Sequence, residues 1–194
     1  MGLAIMILGL AIFLGVHLLT TMRPQRAALI GRFGENGYKG LYSLVSAVGL
    51  ALIVYGFARY RAHEWIELWS PPTWTKHLAA LLVLFAFIML VASYSRGHIY
   101  TTLKHPMLAG VKLWALAHLM ANGDLGSVIL FGSVLAWAVI DRISLKRRTD
   151  PGAPPIPVGG MRNDVIAVLG GIVLFAVLGK WFHPYVIGVP VFGA

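Results

Sequence analysis

The sequence predicts an all-α fold: a polytopic membrane bundle of about six transmembrane helices, built as a single domain over residues 1–194. Three observations predict it. Hydrophobic residues make up 58% of the chain and charged residues only 12%, and the mean hydropathy is +0.78. A water-soluble domain carries about a quarter charged residues, so there is too little polar surface here to coat a globule in water. Apolar runs recur at roughly the 20 residues that a helix rising 1.5 Å per residue needs to cross a bilayer. Strand-like alternation is absent, which argues against a β-barrel.

The spans follow in order. Residues 2–21 form the first, with His17 as its only ionisable side chain. The first positive charge, Arg23, comes after this run, so it reads as a retained helix rather than a signal peptide. Pro24 is expected to help end it. Residues 40–58 and 77–95 are the second and third spans. The fourth, 106–121, is shorter and contains Lys112 and His118; the fifth is 125–140 and the sixth 165–182. Only Asn122, Gly123 and Asp124 separate the fourth from the fifth, and this turn chemistry predicts a tight antiparallel hairpin. The tryptophan-rich segment HEWIELWSPPTW (63–74) is expected in the outer interface as an aromatic belt. DPGAPPIPVGG (150–160) is expected to be an extended loop.

The loops set orientation. One group carries Arg23, Arg26, Arg32, Lys39, Arg96, Lys104, Arg142, Lys146, Arg147, Arg148 and Arg162; the opposite group carries only Arg59, Arg61, Lys76 and Lys180. The positive-inside rule places the first group in the cytoplasm and both termini outside, which in a bacterial inner membrane is the periplasm. The net charge of +9 is accordingly read as topology and contact with anionic lipid, with the bilayer rather than nucleic acid as partner. The chain has no cysteine, which removes disulfides, thiolate catalysis, Cys-ligated haem and iron–sulfur clusters.

Ionisable residues inside spans are costly and therefore informative. His17 shares a helix face with Leu10, Phe13, Leu14 and Thr21; His118 shares one with Trp114 and Asn122, at i−4 and i+4. Two roles stay open for each. Either it hydrogen-bonds a neighbouring helix and only holds packing, or its imidazole ligates a metal. Two histidines on different helices of a bundle could hold a haem from either side. His105 lies thirteen residues before His118 and points to the opposite face of a continuous helix, so it shares an iron with His118 only if Pro106 redirects it. Otherwise it is a polar residue at a helix start. Lys112 either snorkels to the cytoplasmic side or pairs with a haem propionate or an acidic group. His63 and Glu67 have a weak i, i+4 metal spacing; with His77 and His183 they read as interfacial polar groups. Glu35 balances the arginines around it. No nucleophile elbow, phosphate loop, zinc-protease motif or dinucleotide fingerprint is present.

Two stretches resemble the NnrU family of bacterial membrane proteins. They are GRFGENGYKGLYSLVSAVGLALIVYG (31–56) and SRGHIYTTLKHPMLAGVKLWALAHLMANGDLGSVILFG (95–132). The order His-Pro, Leu-Trp, His-Leu, Asn-Gly-Asp in the second is specific. With the first-span histidine, the resemblance covers nearly the whole chain. It implies an association with denitrification, particularly nitrite and nitric oxide metabolism. The family includes the plastid 15-cis-zeta-carotene isomerase, which uses haem b. Its histidine ligands match His17 and His118, and a further characteristic histidine matches His105. The resemblance does not carry the isomerase activity across.

These readings imply an inner-membrane protein that binds haem b through His17 and His118, with His105 as a further cofactor-binding candidate, and serves nitrogen-oxide metabolism by redox or gas chemistry. A non-catalytic factor that assembles or regulates denitrification enzymes is the alternative, as is an isomerase-like haem enzyme acting on a lipophilic substrate. Nothing supports a transporter built from inverted repeats. Arg23, Arg26, Arg32 and Arg96 either serve topology or hold haem propionates. His17 lies near the end of the first span and His118 about twelve residues into the fourth, so a haem held by both lies obliquely or the first span continues past Thr21.

Overall fold

The computed structural model describes residues 1–148 and 158–192, and every described element of any length is helical. The helices are α1 (Gly2–Leu18), α2 (Arg23–His63), α3 (Thr73–Ser95), α4 (His98–Leu103), α5 (Pro106–Ala121), α6 (Leu125–Arg147) and α7 (Met161–Val177), which continues as a π-helical segment over Leu178–Ile187. Among the described residues, four stretches are long and apolar enough to cross a membrane: Arg23–His63, Thr73–Ser95, Leu125–Arg147 and Met161–Ile187. The expected first and fourth spans appear as the shorter apolar helices Gly2–Leu18 and Pro106–Ala121. Most of the expected extended loop, residues 150–157, lies outside the described residues.

The helix boundaries correct the sequence reading in physically simple ways. Pro24 does not end the first span; α1 stops at Leu18 and Pro24 sits in the first turn of α2. A proline there gives up an N–H that has no intrahelical acceptor anyway. The basic stretch expected to be a loop therefore joins the second span as one helix, broken only at Gly34, whose φ of 70° is left-handed. The continuation past Thr21 that would have deepened the first span does not occur. Thr20 and Thr21 instead turn their hydroxyls onto the carbonyls of His17 and Leu18, at 2.7 and 2.6 Å, and close the helix end. At the other end of the chain, Pro184 lies inside the π-helical segment, where it removes one N–H from the hydrogen-bond ladder.

The chain forms two compact units. The first takes Met1–Ser70 and Asn122–Arg148, and so holds α1, α2 and α6. Here α1 and α2 meet through glycine: a Cβ added at Gly9 would lie 2.6 Å from the Ile53 backbone nitrogen, and one at Gly49 would lie 2.8 Å from that of Phe13. The second unit takes Pro71–Ala121 and the described part of Thr149–Ala194. In it α3 presents buried Ala79, Ala86 and Ala92. Gly110 of α5 approaches the Ala86 carbonyl and Gly171 of α7 the Ile88 backbone, at 2.7 and 2.6 Å from their would-be Cβ positions. Both units are thus built on small residues, while Leu44, Val54, Leu169 and Val173 are 58–63% exposed. That inversion of a water-soluble core suits helices whose solvent is hydrocarbon.

The Asn-Gly-Asp turn also does more than join two helices. The expected hairpin partners α5 and α6 fall into different units, and the turn instead pairs with the tryptophan-rich segment. Gly123 O accepts from Leu68 N and Trp69 N at 2.7 and 3.0 Å, and Leu125 N donates to Ile66 O at 2.9 Å. The fully buried Tyr60 ring lies on Gly126, and its hydroxyl accepts from Ile66 N at 3.1 Å and donates to Ile66 O at 3.3 Å. Asp124 then caps α6 by accepting from Ser127 N at 2.9 Å.

Two more helix starts are capped by carboxylates distant in sequence. Asp164 accepts from His98 N and Ile99 N at 3.0 and 2.9 Å and from His98 Nδ1 at 2.7 Å, closing the start of α4. Glu64 accepts from Gly2 N at 2.5 Å and Leu3 N at 3.2 Å, and pairs with the Met1 ammonium. The Met1 ammonium and these two N–H groups hold the Glu64 carboxyl down at about 2, against an ordinary value of 4.5.

Two outcomes are expected. Gly9→Val and Gly49→Val should each lower stability by about 1–3 kcal/mol through overpacking, whereas Gly15→Val, with nothing within 4 Å of its Cβ position, should not; thermal unfolding in detergent micelles compares them. A carboxyl lowered in the folded state contributes stability that is complete above its unfolded value and is lost as pH falls. Glu64→Gln should therefore be less stable than wild type at pH 7, with the gap closing between pH 4.5 and about 2. Equal melting temperatures at pH 7 would exclude the role.

Candidate functional site

A histidine inside an apolar helix needs a partner for each ring nitrogen, and the helix itself supplies one. In α1, His17 Nδ1 lies 2.6 Å from the carbonyl of Phe13, one turn back. In α5, His118 Nδ1 lies 2.8 Å from the carbonyl of Trp114, also one turn back. A carbonyl can only accept, so each Nδ1 carries the proton and each lone pair resides on Nε2. The Trp114 backbone carbonyl is thus an acceptor for His118 Nδ1. Both rings are half-buried.

Around His17 the first unit assembles an aromatic wall. Phe13 lies 4.2 Å away between ring centroids, Tyr42 of α2 5.3 Å, and Trp137 of α6 5.4 Å and edge-on. The Trp137 indole N–H and the Ser46 hydroxyl are buried without a hydrogen-bond partner among the described residues. Around His118 the second unit places the Trp114 ring at 4.8 Å and the His183 ring at 6.2 Å. The π-helical segment brings His183, one of the residues read as interfacial polar groups, to His118.

The other expected residues separate. His105 stands at the start of α5, where its carbonyl accepts from Ala109 N at 3.2 Å. Thirteen residues of helix put it about 20 Å along the axis from His118, so the two do not share an iron. Lys112 is half-buried on α5. The i, i+4 spacing of His63 and Glu67 is lost because α2 ends at His63, and Glu67 accepts from Ser70 Oγ at 2.5 Å. Among the described residues no three His, Asp or Glu groups gather to hold a metal ion. Lys39 pairs with Glu35 at 2.7 Å. Of the four arginines considered for propionates, Arg26, Arg32 and Arg96 each lie over an aromatic ring, Tyr38, Phe33 and Tyr100, at 5.4–5.6 Å.

Taken singly, each histidine has the donor arrangement that suits axial ligation of haem iron. Ligating histidines keep the second ring N–H on a carbonyl or carboxylate, which fixes the tautomer and the ring orientation, and both His17 and His118 do so. The orphaned Trp137 N–H beside His17 adds a donor that a bound group could satisfy. Trp137 and His183 were missed in the sequence because neither has a local signature; each reaches its histidine from a different helix of its unit.

Compared with known proteins, residues 5–191 match the family model described as NnrU protein. No curated protein and no solved structure gives a match.

Proposed function

Because the chain belongs to the NnrU family, we propose that it is a multi-pass protein of the bacterial inner membrane that binds haem b through His17 and His118 and serves nitrogen-oxide metabolism by redox or gas chemistry. The observation that supports this reading is the shared geometry of the two histidines. Each gives its Nδ1 proton to the carbonyl one turn back and so offers Nε2 to iron. Haem, when bound, would supply an iron that changes oxidation state. The chain's own residues hold the ring tautomers, exclude water with Phe13, Tyr42, Trp114 and Trp137, and present the Trp137 indole N–H next to His17.

A second reading concerns the ligand pair. His183 stands 6.2 Å from His118, ring to ring, within one unit, which makes it the alternative partner of His118. Absorption spectra of the purified protein, expressed with ample haem, separate the two. His17→Ala and His118→Ala should each lose the Soret band or shift it, while His63→Ala and His77→Ala keep it. Loss in His118→Ala and His183→Ala with retention in His17→Ala would move the ligand pair to His118 and His183. A colourless wild type would overturn haem binding and make a non-catalytic membrane factor for denitrification enzymes the leading reading.

The proposed arrangement has six crossings with both termini outside, the two shorter apolar helices included. At 17 and 16 residues they are about 25 Å long, against about 30 Å of hydrocarbon, a mismatch that local thinning accommodates. Reporter fusions at Arg26 and Arg147 should be active only in the cytoplasm, and one at Trp69 only in the periplasm. A periplasm-active fusion at Arg147 would reverse the orientation.

A further inference from the structure

The first unit holds a cavity that shares Tyr42 with the surroundings of His17 but is otherwise lined by other residues. Its volume is about 220 Å³, and Thr20, Arg26, Tyr38, Lys39, Tyr42 and Ser43 line it. These residues come from the turn after α1 and from both sides of the Gly34 kink in α2. On a straight helix Arg26 and Tyr38 would stand about 18 Å apart along the axis. With the helix broken at the left-handed Gly34, the Arg26 guanidinium comes to 5.6 Å from the Tyr38 ring.

The chemistry of the lining is one-sided. It carries a guanidinium, an ammonium and four hydroxyl groups, and no carboxylate. Glu35, which pairs with Lys39 at 2.7 Å, is outside the lining, and both members of that pair are largely exposed. The carbonyls at the end of α1 do not oppose an anion there, because Thr20 and Thr21 hydroxyls already bond to them and Arg148 donates to Thr20 O at 3.1 Å. An independent observation comes from Tyr38. It is only 7% exposed, and its hydroxyl is buried with no hydrogen-bond partner among the described residues. A buried O–H without an acceptor is unfavourable, and in a cavity lined also by Arg26 and Lys39 an anion bearing oxygen acceptors is the group that would complete it.

Position narrows the class. The apolar run of α1 ends at Leu18, and the apolar part of α2 begins near Gly40. The cavity therefore sits where hydrocarbon gives way to water, the level at which a bilayer carries its phosphates. Its volume is below the ~300–1,000 Å³ of pockets for drug-sized ligands, which suits a single headgroup anion. We propose that this cavity binds a phosphate oxyanion, with Arg26 and Lys39 supplying charge and the Tyr38 hydroxyl a hydrogen bond. The phosphate is either that of an anionic lipid or free inorganic phosphate.

Two arms distinguish the sources. In the first, the full-length protein is reconstituted in nanodiscs of phosphatidylcholine with phosphatidylglycerol, and native mass spectrometry counts the phosphatidylglycerol retained. In the second, inorganic phosphate is titrated into protein in phosphate-free neutral detergent by calorimetry. Replacing both cations in Arg26→Gln/Lys39→Gln should weaken binding in one arm by about tenfold or more, the scale of losing charge-assisted hydrogen bonds. Tyr38→Phe, which keeps the ring and its packing, should weaken it in the same arm by a smaller factor. Arg59→Gln/Arg61→Gln removes the same charge outside the cavity and should bind as wild type. Cavity-dependent retention of phosphatidylglycerol identifies the lipid headgroup; a cavity-dependent phosphate titration identifies the free anion. Binding in neither arm, equal loss in the Arg59/Arg61 variant, or unchanged binding in Tyr38→Phe overturns the proposal.

Discussion

The structure depends on how closely helices approach when hydrophobicity cannot drive them together. Lipid tails are as apolar as leucine, so burying a leucine between two membrane helices gains little over leaving it in lipid. What remains is dispersion at short range, and that requires backbones to touch. Gly9 and Gly49 in the first unit, and Ala86 with Gly110 and Gly171 in the second, provide those contacts. The outward-facing leucines and valines then need no internal partner. Each of the other features, from the helix caps to the histidine surroundings, presupposes that these small-residue seams hold.

The polar groups follow a second economy. Backbone N–H groups at helix starts have no helical acceptor, and in a medium with little water they need one from elsewhere in the chain. Glu64, Asp124 and Asp164 supply it for three helices. These are three of only seven acidic residues in the chain, so a sizeable share of its negative charge is structural. The histidines solve the same problem locally by returning Nδ1–H to their own helix. That leaves Nε2 as the nitrogen whose partner the rest of the protein, or a bound group, must provide.

Much of the fold was legible from hydropathy, because a run of twenty apolar residues has few alternatives. His17 and His118 stood out for the same reason: an ionisable side chain in such a run is conspicuous. What hydropathy could not show is continuity of helix through polar sequence. Residues 23–39 are basic and read as a loop, yet apart from the break at Gly34 they are helical, with a proline where a helix start accommodates it whatever the solvent. Contacts between distant residues were equally hidden. Nothing local marks Trp137 as a neighbour of His17, His183 as a neighbour of His118, or Glu64 as the cap of α1. The i, i+4 spacing of His63 and Glu67 misled because it presumes a helix that ends at the first of the two.

The first unit is discontinuous in the chain, with α6 separated from α1 and α2 by the whole of α3 to α5. This has a consequence for biosynthesis. As the chain leaves the ribosome, α1 and α2 can pair through their glycines at once, but Tyr60 must wait for Gly126, and Ile66 and Leu68 for the turn at Gly123. The seat for α6 is made early and filled late. The second unit is left open in the same way until α7 arrives to meet α3. Neither unit can close before a segment of the other has been synthesised, so assembly of the two is interleaved in time.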